Sequence, residues 1–449
     1  AGMLSGISAQ VSPLQVDTLK ETKIPDQWDL QSCIDYAKEQ NITIRKNRIT
    51  AVSTQIDVKT AKAALFPSLS FSTGHQVVNR PYQETSSRVS GSEIISSNSK
   101  TSYNGNYGLN ASWTLYNGNK RLKTIQQEKL NNQMAELDVA TSENNIQESI
   151  AQVYIQILYA AESVKVNENT LQVSIAQRDR GQELLNAGSI AKSDLAQLEA
   201  QVSTDRYQLV TAQATLEDYK LQLKQLLELD GENEMNIYLP ALSDENVLAP
   251  LPTKRDVYIS ALSLRPEIEA SKLNVEASEL GINIAKSSYF PTISLSAGIG
   301  TNHTSGSDFT FGEQVKNGWN NSIGLSVSVP IFNNRQTKSA VQKAKLQYET
   351  SMLSLLDEQK ALYKTIESLW LDANSAQQRY AAANEKLKST QISYELISEQ
   401  FNLGMKNTVE LLTEKNNLLQ AQQEQLQAKY MAILNTQLLK FYQGDQLAI

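Results

Sequence analysis

Apolar positions recur along most of the chain in alternating steps of four and three. In one long stretch Leu362, Ile366, Leu369, Ala373, Ala376, Tyr380, Ala383, Leu387, Thr390, Tyr394, Ile397 and Phe401 follow this rule without a break. Ile146, Ile150, Val153, Ile157, Ala160 and Val164 repeat it in the first half. Such heptad seams predict long helices that supercoil left-handedly against neighbours, and the small residues in them allow close approach. Four segments have a period of two instead. Tyr103, Tyr107, Leu109, Ala111, Trp113 and Leu115 alternate with Asn104, Asn106, Gly108, Asn110, Ser112 and Thr114. Trp319, Ile323, Leu325, Val327, Val329 and Ile331 alternate with Asn320, Ser322, Gly324, Ser326 and Ser328. Leu69, Phe71 and Thr73, and then Ile293, Leu295, Ala297 and Ile299, do the same more briefly. Each reads as a strand with one apolar face and one face of small polar residues.

The pattern occurs twice. The offset that carries Gly188 onto Gly404 also carries "LYNGNKRLKTIQQEKL" (115–130) onto "IFNNRQTKSAVQKAKL" (331–346). "AKAALFPSLSFSTG" (61–74) and "AKSSYFPTISLSAG" (285–298) match at a slightly larger offset, so the first copy is longer between these anchors. An internal duplication therefore organises the chain. The copies span 29–229 and 254–443. Each holds a helix, a β-hairpin (65–116 and 290–331), a long helix (117–187 and 333–403) and a return helix (189–229 and 405–443). A linker at 230–253, with Pro240, Pro250 and Pro252, joins them; 1–28 precede and 444–449 follow.

Composition narrows the partners. The formal charge of -7 and the lack of a basic stretch argue against nucleic acid. Cys33 is the single cysteine, which rules out an intramolecular disulfide or a thiolate metal cage. Few apolar residues and many Gln, Asn, Ser and Ala suit narrow helical seams more than a thick core. No apolar run approaches the roughly 18 residues of a membrane-spanning helix, but strands of a membrane barrel give a weaker, alternating signal. "AGMLSGISAQ" at 1–10 resembles the tail of a secretory signal, with small residues at Ser8 and Ala9.

The four strands read in two ways. They are ordinary hairpins on a soluble core, or they cross an outer membrane. Ser, Asn and Gly instead of charges on the polar faces, aromatics near the strand ends (Trp113, Tyr116, Trp319, Phe332) and lengths of about 10 residues favour the second. Four strands are too few to close a barrel, which needs at least about eight, so several chains would share one. The long helices run about 70 residues without proline, roughly 100 Å, and the other helices about half of that.

Together these residues resemble the TolC-like outer membrane efflux proteins. "FPSLSFSTG" and "FPTISLSAG" look like that family's helix-to-strand junctions, "LYNG" and "VPIFNN" like its strand-to-helix junctions, and "LRPEIEA" (264–270) like its Arg-Pro-acid helix start. The likeness covers about 30–445. It implies a mainly α fold with a small β part: long antiparallel coiled-coil helices forming a periplasmic α-barrel, and four strands per protomer contributing to a shared 12-stranded transmembrane β-barrel in a homotrimer. It also implies a passive exit duct in outer-membrane lipid. The duct would serve tripartite efflux or type I secretion by docking a periplasmic adaptor (membrane fusion protein) that connects it to an inner-membrane RND, ABC or MFS transporter. No cofactor is implied.

The two glycine turns carry the candidate site. A glycine in the left-handed conformation caps the arriving helix; Ser193, or Asn407 and Thr408, can cap the returning one, with Asp194 and Glu410 near the positive end of its dipole. By resemblance, the turns Gly188, Ser189, Ile190 and Gly404, Met405, Lys406 are periplasmic tips that contact the adaptor. Glu410 matches an acid facing the pore, Asp194 and Lys406 a pair tying neighbouring coils shut, and Ser193 and Phe401 a second link. A further acid of the family pattern is replaced here by Thr413, which makes the expected constriction less acidic. Nothing points to catalysis or metal: His75 and His303 fall near hairpin loops, and there is no phosphate-cradling loop or nucleophile elbow. The hairpin loops 76–102 and 302–318 are candidate plugs or surface contacts. The rival reading is an oligomeric coiled-coil scaffold or surface adhesin without a pore, which explains the heptads but not the alternating strands.

Overall fold

The computed structural model describes residues 24–82, 86–90, 93–97, 100–230, 235–240, 247–305, 307 and 309–448. The expected signal remnant at 1–9 and part of the linker 230–253 lie outside them. The chain divides into two compact units. One comprises 52–134 and 272–354, the other the described residues of 1–51, 135–271 and 355–449.

The first unit holds an antiparallel sheet of β1 (Ser68–Asn79), β4 (Thr101–Asn117), β5 (Thr292–Thr304) and β6 (Asn320–Ser328), in the order β1-β4-β5-β6. Register places Leu69, Ala111, Ala297 and Ile323 in one row and Phe71, Leu109 and Ile299 in the next. Rows between them, on the opposite face, read Ser68, Ser112, Ser296, Gly324 and Ser70, Asn110, Gly298, Ser322. The alternation in the sequence is thus a two-faced sheet. Every residue of β6 is exposed, and among the described residues neither of its faces is covered. At the base of the sheet the register shifts between Thr114 and Tyr116. There the Trp113 indole N–H donates to Leu65 O at 2.8 Å and Arg121 donates to Ala64 O at 2.6 Å and to Thr114 O, tying strand ends to helix ends.

The two hairpin tips differ. The first continues into a short ribbon of β2 (Ser86–Ser90) and β3 (Glu93–Ser97), which occupies the extra length of the first copy. The second, expected as loop 302–318, contains a helix at Phe311–Asn317. Thr310 and Glu313 form its reciprocal capping box, with Thr310 N donating to Glu313 Oε2 at 2.8 Å.

The second unit is helical. It holds residues 135–186 and 355–402 of the long helices Lys120–Asn186 and Gln336–Asn402, and the return helices Lys192–Leu226 and Thr408–Gln443. The heptad seam is the buried stripe: Leu362, Ile366, Ala373, Ala376, Tyr380, Ala383 and Phe401 are all buried. The opening helix of each copy is broken where the sequence suggests one piece. The first divides into Leu30–Gln40 and Ile42–Ala63 because Asn41 leaves the helical conformation and caps the second piece, its Oδ1 accepting from Thr43 N at 2.9 Å while its Nδ2 donates to Leu226 O at 3.0 Å. The second divides into Lys254–Leu264 and Pro266–Ser287 at Arg265, which Pro266 forces out of the helical region. The Arg265 guanidinium is buried, donates to Glu148 at 2.9 Å and Glu267 at 2.8 Å, and lies 4.0 Å from the Tyr442 ring centre. Burial pushes the Glu148 carboxyl up, against the opposing pull of Arg265.

Candidate functional site: the two helix reversals

Gly188 and Gly404 have φ of 75° and 73°. Each closes its helix with the same pair of bonds: Gly188 N to Leu185 O (2.9 Å) and Ser189 N to Leu184 O (2.8 Å), Gly404 N to Phe401 O (2.9 Å) and Met405 N to Gln400 O (2.8 Å). This is a Schellman closure, and only glycine takes its left-handed position without strain. The chain then re-enters a helix within a few residues.

The backbones are twins but the side chains are not. In the second reversal Asn407 is the cap: its Oδ1 accepts from Glu410 N at 2.9 Å, and Asn407 N donates back to Glu410 Oε2 at 3.2 Å. Lys406 Nζ lies 2.6 Å from Glu410 Oε1. These donors, with the Lys406 bond foremost, hold the Glu410 carboxyl below its ordinary range. In the first reversal the cap is Ala191, which offers no acceptor, and the N-terminal donor is met by Asp194 Oδ2, 3.0 Å from Ala191 N. The exposed apolar surface also differs: Leu403 is 75% and Met405 70% exposed, whereas Ile190 is half-buried.

Within one chain Asp194 and Lys406 belong to different reversals, and no hydrogen bond or ion pair joins them among the described residues. Ser193 is exposed. Thr413 is exposed and its hydroxyl donates to Val409 O at 2.8 Å. Phe401 is buried with Leu198 and Leu411 in a small core that also takes in Leu184, Tyr394 and Ile397, so it joins the two reversals by packing.

A further tie, between residues outside the two turns, lies along the same helices. Lys415, on the second return helix, donates to Asp205 on the first return helix and to Ser174 on the first long helix; Ser174 donates in turn to Asp205. Gln201 Nε2 completes the carboxylate, 2.9 Å from Asp205 Oδ1. The Lys415 and Asp205 side chains are only 4% and 1% exposed. Burial pulls the Lys415 ammonium down, and Asp205 opposes that shift. The signal was present in the heptads: Leu198, Val202, Asp205 and Leu411, Lys415, Leu418 advance in steps of four and three, so both charges occupy seam positions. A buried ion pair of this kind holds register more than it adds stability. Gln177 donates to the Tyr394 hydroxyl at 2.8 Å and Arg180 to Asn402 O at 3.4 Å, further links between the copies.

The aromatic positions singled out on the strands fall at both ends of the sheet. Trp319 stands before β6 at the tip end, whereas Trp113, Tyr116 and Phe332 lie toward the helices; Trp319 is 57% and Phe332 83% exposed. Among the described residues no helix is long and apolar enough to cross a membrane, and no group of three or more His, Cys, Asp or Glu is placed to hold a metal ion.

Comparison with known proteins accords with this arrangement. The outer membrane efflux protein BepC of Brucella suis is 24% identical over 294 residues, 65% of this chain and 61% of that protein. The outer membrane protein TolC of Escherichia coli is 24% identical over 294 residues, 64% of this chain and 58% of that one. The chain thus spans about three fifths of the length of these two curated relatives. A crystal structure of CusC superposes with a TM-score of 0.78 over 93% of this chain and 92% of that one, at 19% identity, which establishes the shared fold. The model of the outer membrane efflux protein family matches residues 33–228 and 257–444, one stretch in each copy of the duplication, and the chain belongs to that family.

Proposed function

We propose that the chain is one subunit of a passive exit duct in the outer membrane. Three copies would pool their four strands into a 12-stranded barrel and their helices into a periplasmic conduit. The observation that carries this reading is the sheet itself. Among the described residues β1 and β6 have no strand partner on their outer edges, one face is apolar yet exposed, and the other is lined with Ser, Asn and Gly. Open edges and an uncovered apolar face are unstable in water and are resolved together by closing the sheet within lipid.

In this reading the copies at 29–229 and 254–443, linked by 230–253, each supply one hairpin to the barrel and one reversal to the inner mouth. Asp194, Ser193, Phe401, Lys406, Glu410 and Thr413 lie at that mouth, where three copies of Glu410 around one axis favour cations. Trp113, Tyr116, Trp319 and Phe332 mark the two lipid interfaces. The unlike turns around Gly188 and Gly404 are the contact for a periplasmic adaptor, which links the duct to an inner-membrane transporter of the RND, ABC or MFS class. The names of the relatives support the efflux direction.

The test is edge-to-edge cross-linking. Single cysteines placed on the outer edges of β1 and β6 of the same chain, with Cys33 replaced by serine, are oxidised in outer-membrane fractions. A ladder ending at the trimer is expected. A product that stops at the dimer, or monomers that fractionate with soluble protein, would refute the shared barrel.

A further inference from the structure

The chain has two histidines, 228 residues apart in sequence, and the structure puts them side by side. His75 lies on β1 and His303 on β5, flanking Gly105 on β4, with which both are in register. All three belong to the apolar face, at the end of the sheet nearest the hairpin tips. The ring centres of His75 and His303 are 6.5 Å apart, and Tyr103, Tyr107 and Phe311 surround them.

Gly105 is what allows the two rings to meet. A Cβ there would stand 2.2 Å from His303 Cε1, 2.6 Å from His303 Nδ1 and 3.2 Å from His75 Nδ1. Both Nδ1 atoms therefore converge over the glycine, within about 6 Å of each other; a shared metal ion would draw each to the roughly 2.1 Å of a metal–imidazole bond. His303 Nδ1 is shielded from solvent and has no hydrogen-bond partner among the described residues. His75 is already oriented as a ligand: Thr73 Oγ1 lies 3.1 Å from its Nε2 and the Tyr103 hydroxyl 2.7 Å from its Nδ1. With the Nε2 proton donated to threonine, the Nδ1 lone pair points at Tyr103, the outer hydrogen bond by which proteins fix a ligating imidazole. An orphaned, shielded nitrogen is a group for which the fold otherwise provides nothing.

We propose that His75 Nδ1, His303 Nδ1 and Tyr103 Oη form a site for a divalent transition-metal ion, with copper(II) the best match, on the apolar face of the sheet. Two imidazoles select the later first-row metals, and the affinity order of such sites peaks at copper. Binding exchanges the Tyr103 phenol proton, released to solvent, for the metal; no electron is transferred. The ion would clip β1 to β5 across β4. Because this face is opposite the Ser, Asn and Gly rows, the site is distinct from the lining of the proposed duct and stands whether or not the chain conducts.

The experiment is copper(II) titration of the detergent-solubilised full chain, purified without a polyhistidine tag and followed by electron paramagnetic resonance and visible absorption. Wild type is expected to bind one ion with hyperfine coupling to two imidazole nitrogens and a phenolate-to-copper charge-transfer band. His75→Gln and His303→Gln should each weaken binding at least tenfold, and Tyr103→Phe should remove the charge-transfer band. Gly105→Ala, which keeps every ligand but separates the rings, should also weaken it; heat-modifiability checks that each variant is folded. Equal affinity in wild type and the folded double histidine variant, or a two-nitrogen signal that survives in it, would overturn the site. An unchanged spectrum in Tyr103→Phe would overturn the place given to Tyr103.

Discussion

On the sheet Ile323 is 83% exposed, Leu69 70% and Leu325 65%; at the helix reversals Leu411 is 0%, Leu198 1% and Phe401 2% exposed. The same residue types thus meet opposite fates in the two units. Each large apolar side chain left in water forgoes about 1.5–3 kcal/mol, so the sheet is an unfinished structure, whereas the reversals finish themselves within one chain. Under the proposed shared barrel, the contrast separates what one chain provides alone from what lipid and further copies would provide. It also locates specificity differently: by side-chain packing at the reversals and a buried ion pair further along their helices, and by strand register and face polarity on the sheet.

The largest effect should come from the self-completed side. Asp205→Ala leaves the Lys415 ammonium buried without its carboxylate, and a loss of about 3–5 kcal/mol is expected. Converting both partners to apolar residues of similar volume should restore most of it. Denaturant unfolding of the assembled protein, followed by helical circular dichroism, reads both; equal losses in the single and double variants would show that Lys415 is not held by Asp205.

The sheet should respond by face. Leu325→Arg places a charge on the apolar face and is expected to cost about 2–4 kcal/mol if that face meets the bilayer midplane. Ser322→Arg, three rows away on the opposite face, should leave stability nearly intact and alter conductance instead. Similar losses from both substitutions, measured as folded oligomer in outer-membrane fractions, would erase the distinction between the faces.

How much of this was legible beforehand follows the same division. Period-two alternation and heptad seams are local, and they announced the strand at 103–115, the buried stripe through Ile366 and Tyr380, and both glycine reversals; the strand expected over 319–331 is shorter, Asn320–Ser328, ending before Pro330. Elements that depend on distant residues were not announced. The tie of Lys415 to Ser174 and Asp205 joins positions in different copies: the heptad spacing puts both charges on seams, but it does not say which residue each one meets. Asn41 breaks a helix that looks continuous because the bond that rewards the break reaches Leu226, whereas the break at Arg265 follows from the neighbouring Pro266. His75 and His303 looked like loop residues until register aligned them over Gly105.

Smaller effects should distinguish the two reversals. Asn407→Ala removes the cap of the second return helix and is expected to cost about 1 kcal/mol, whereas Ala191→Ser supplies a missing acceptor and should stabilise the first by a few tenths to about 1 kcal/mol. Amide exchange at the two helix starts would show one change of each sign; two losses would mean that Asp194 already satisfies the first helix.

The smallest expected effect is a response to acid. The folded-state pKa of Glu410 is lowered, so its contribution is fully present above its unfolded value near 4.5 and is lost as pH falls through the lower folded value. Protease nicking near Gly404 should therefore rise in that acidic window, and Glu410→Gln should remove the rise. Persistence of the rise in Glu410→Gln would assign it to another carboxylate.

The central claim is that assembled chains enclose a conducting path. Single-channel recording in planar lipid bilayers, using purified heat-modifiable oligomer, addresses it most directly. Discrete current steps are expected, with a small closed-mouth conductance that favours cations and a weaker cation preference in Glu410→Gln. Correctly folded oligomer that inserts into the bilayer and passes no current would contradict the account and leave the coiled-coil scaffold as the reading that fits.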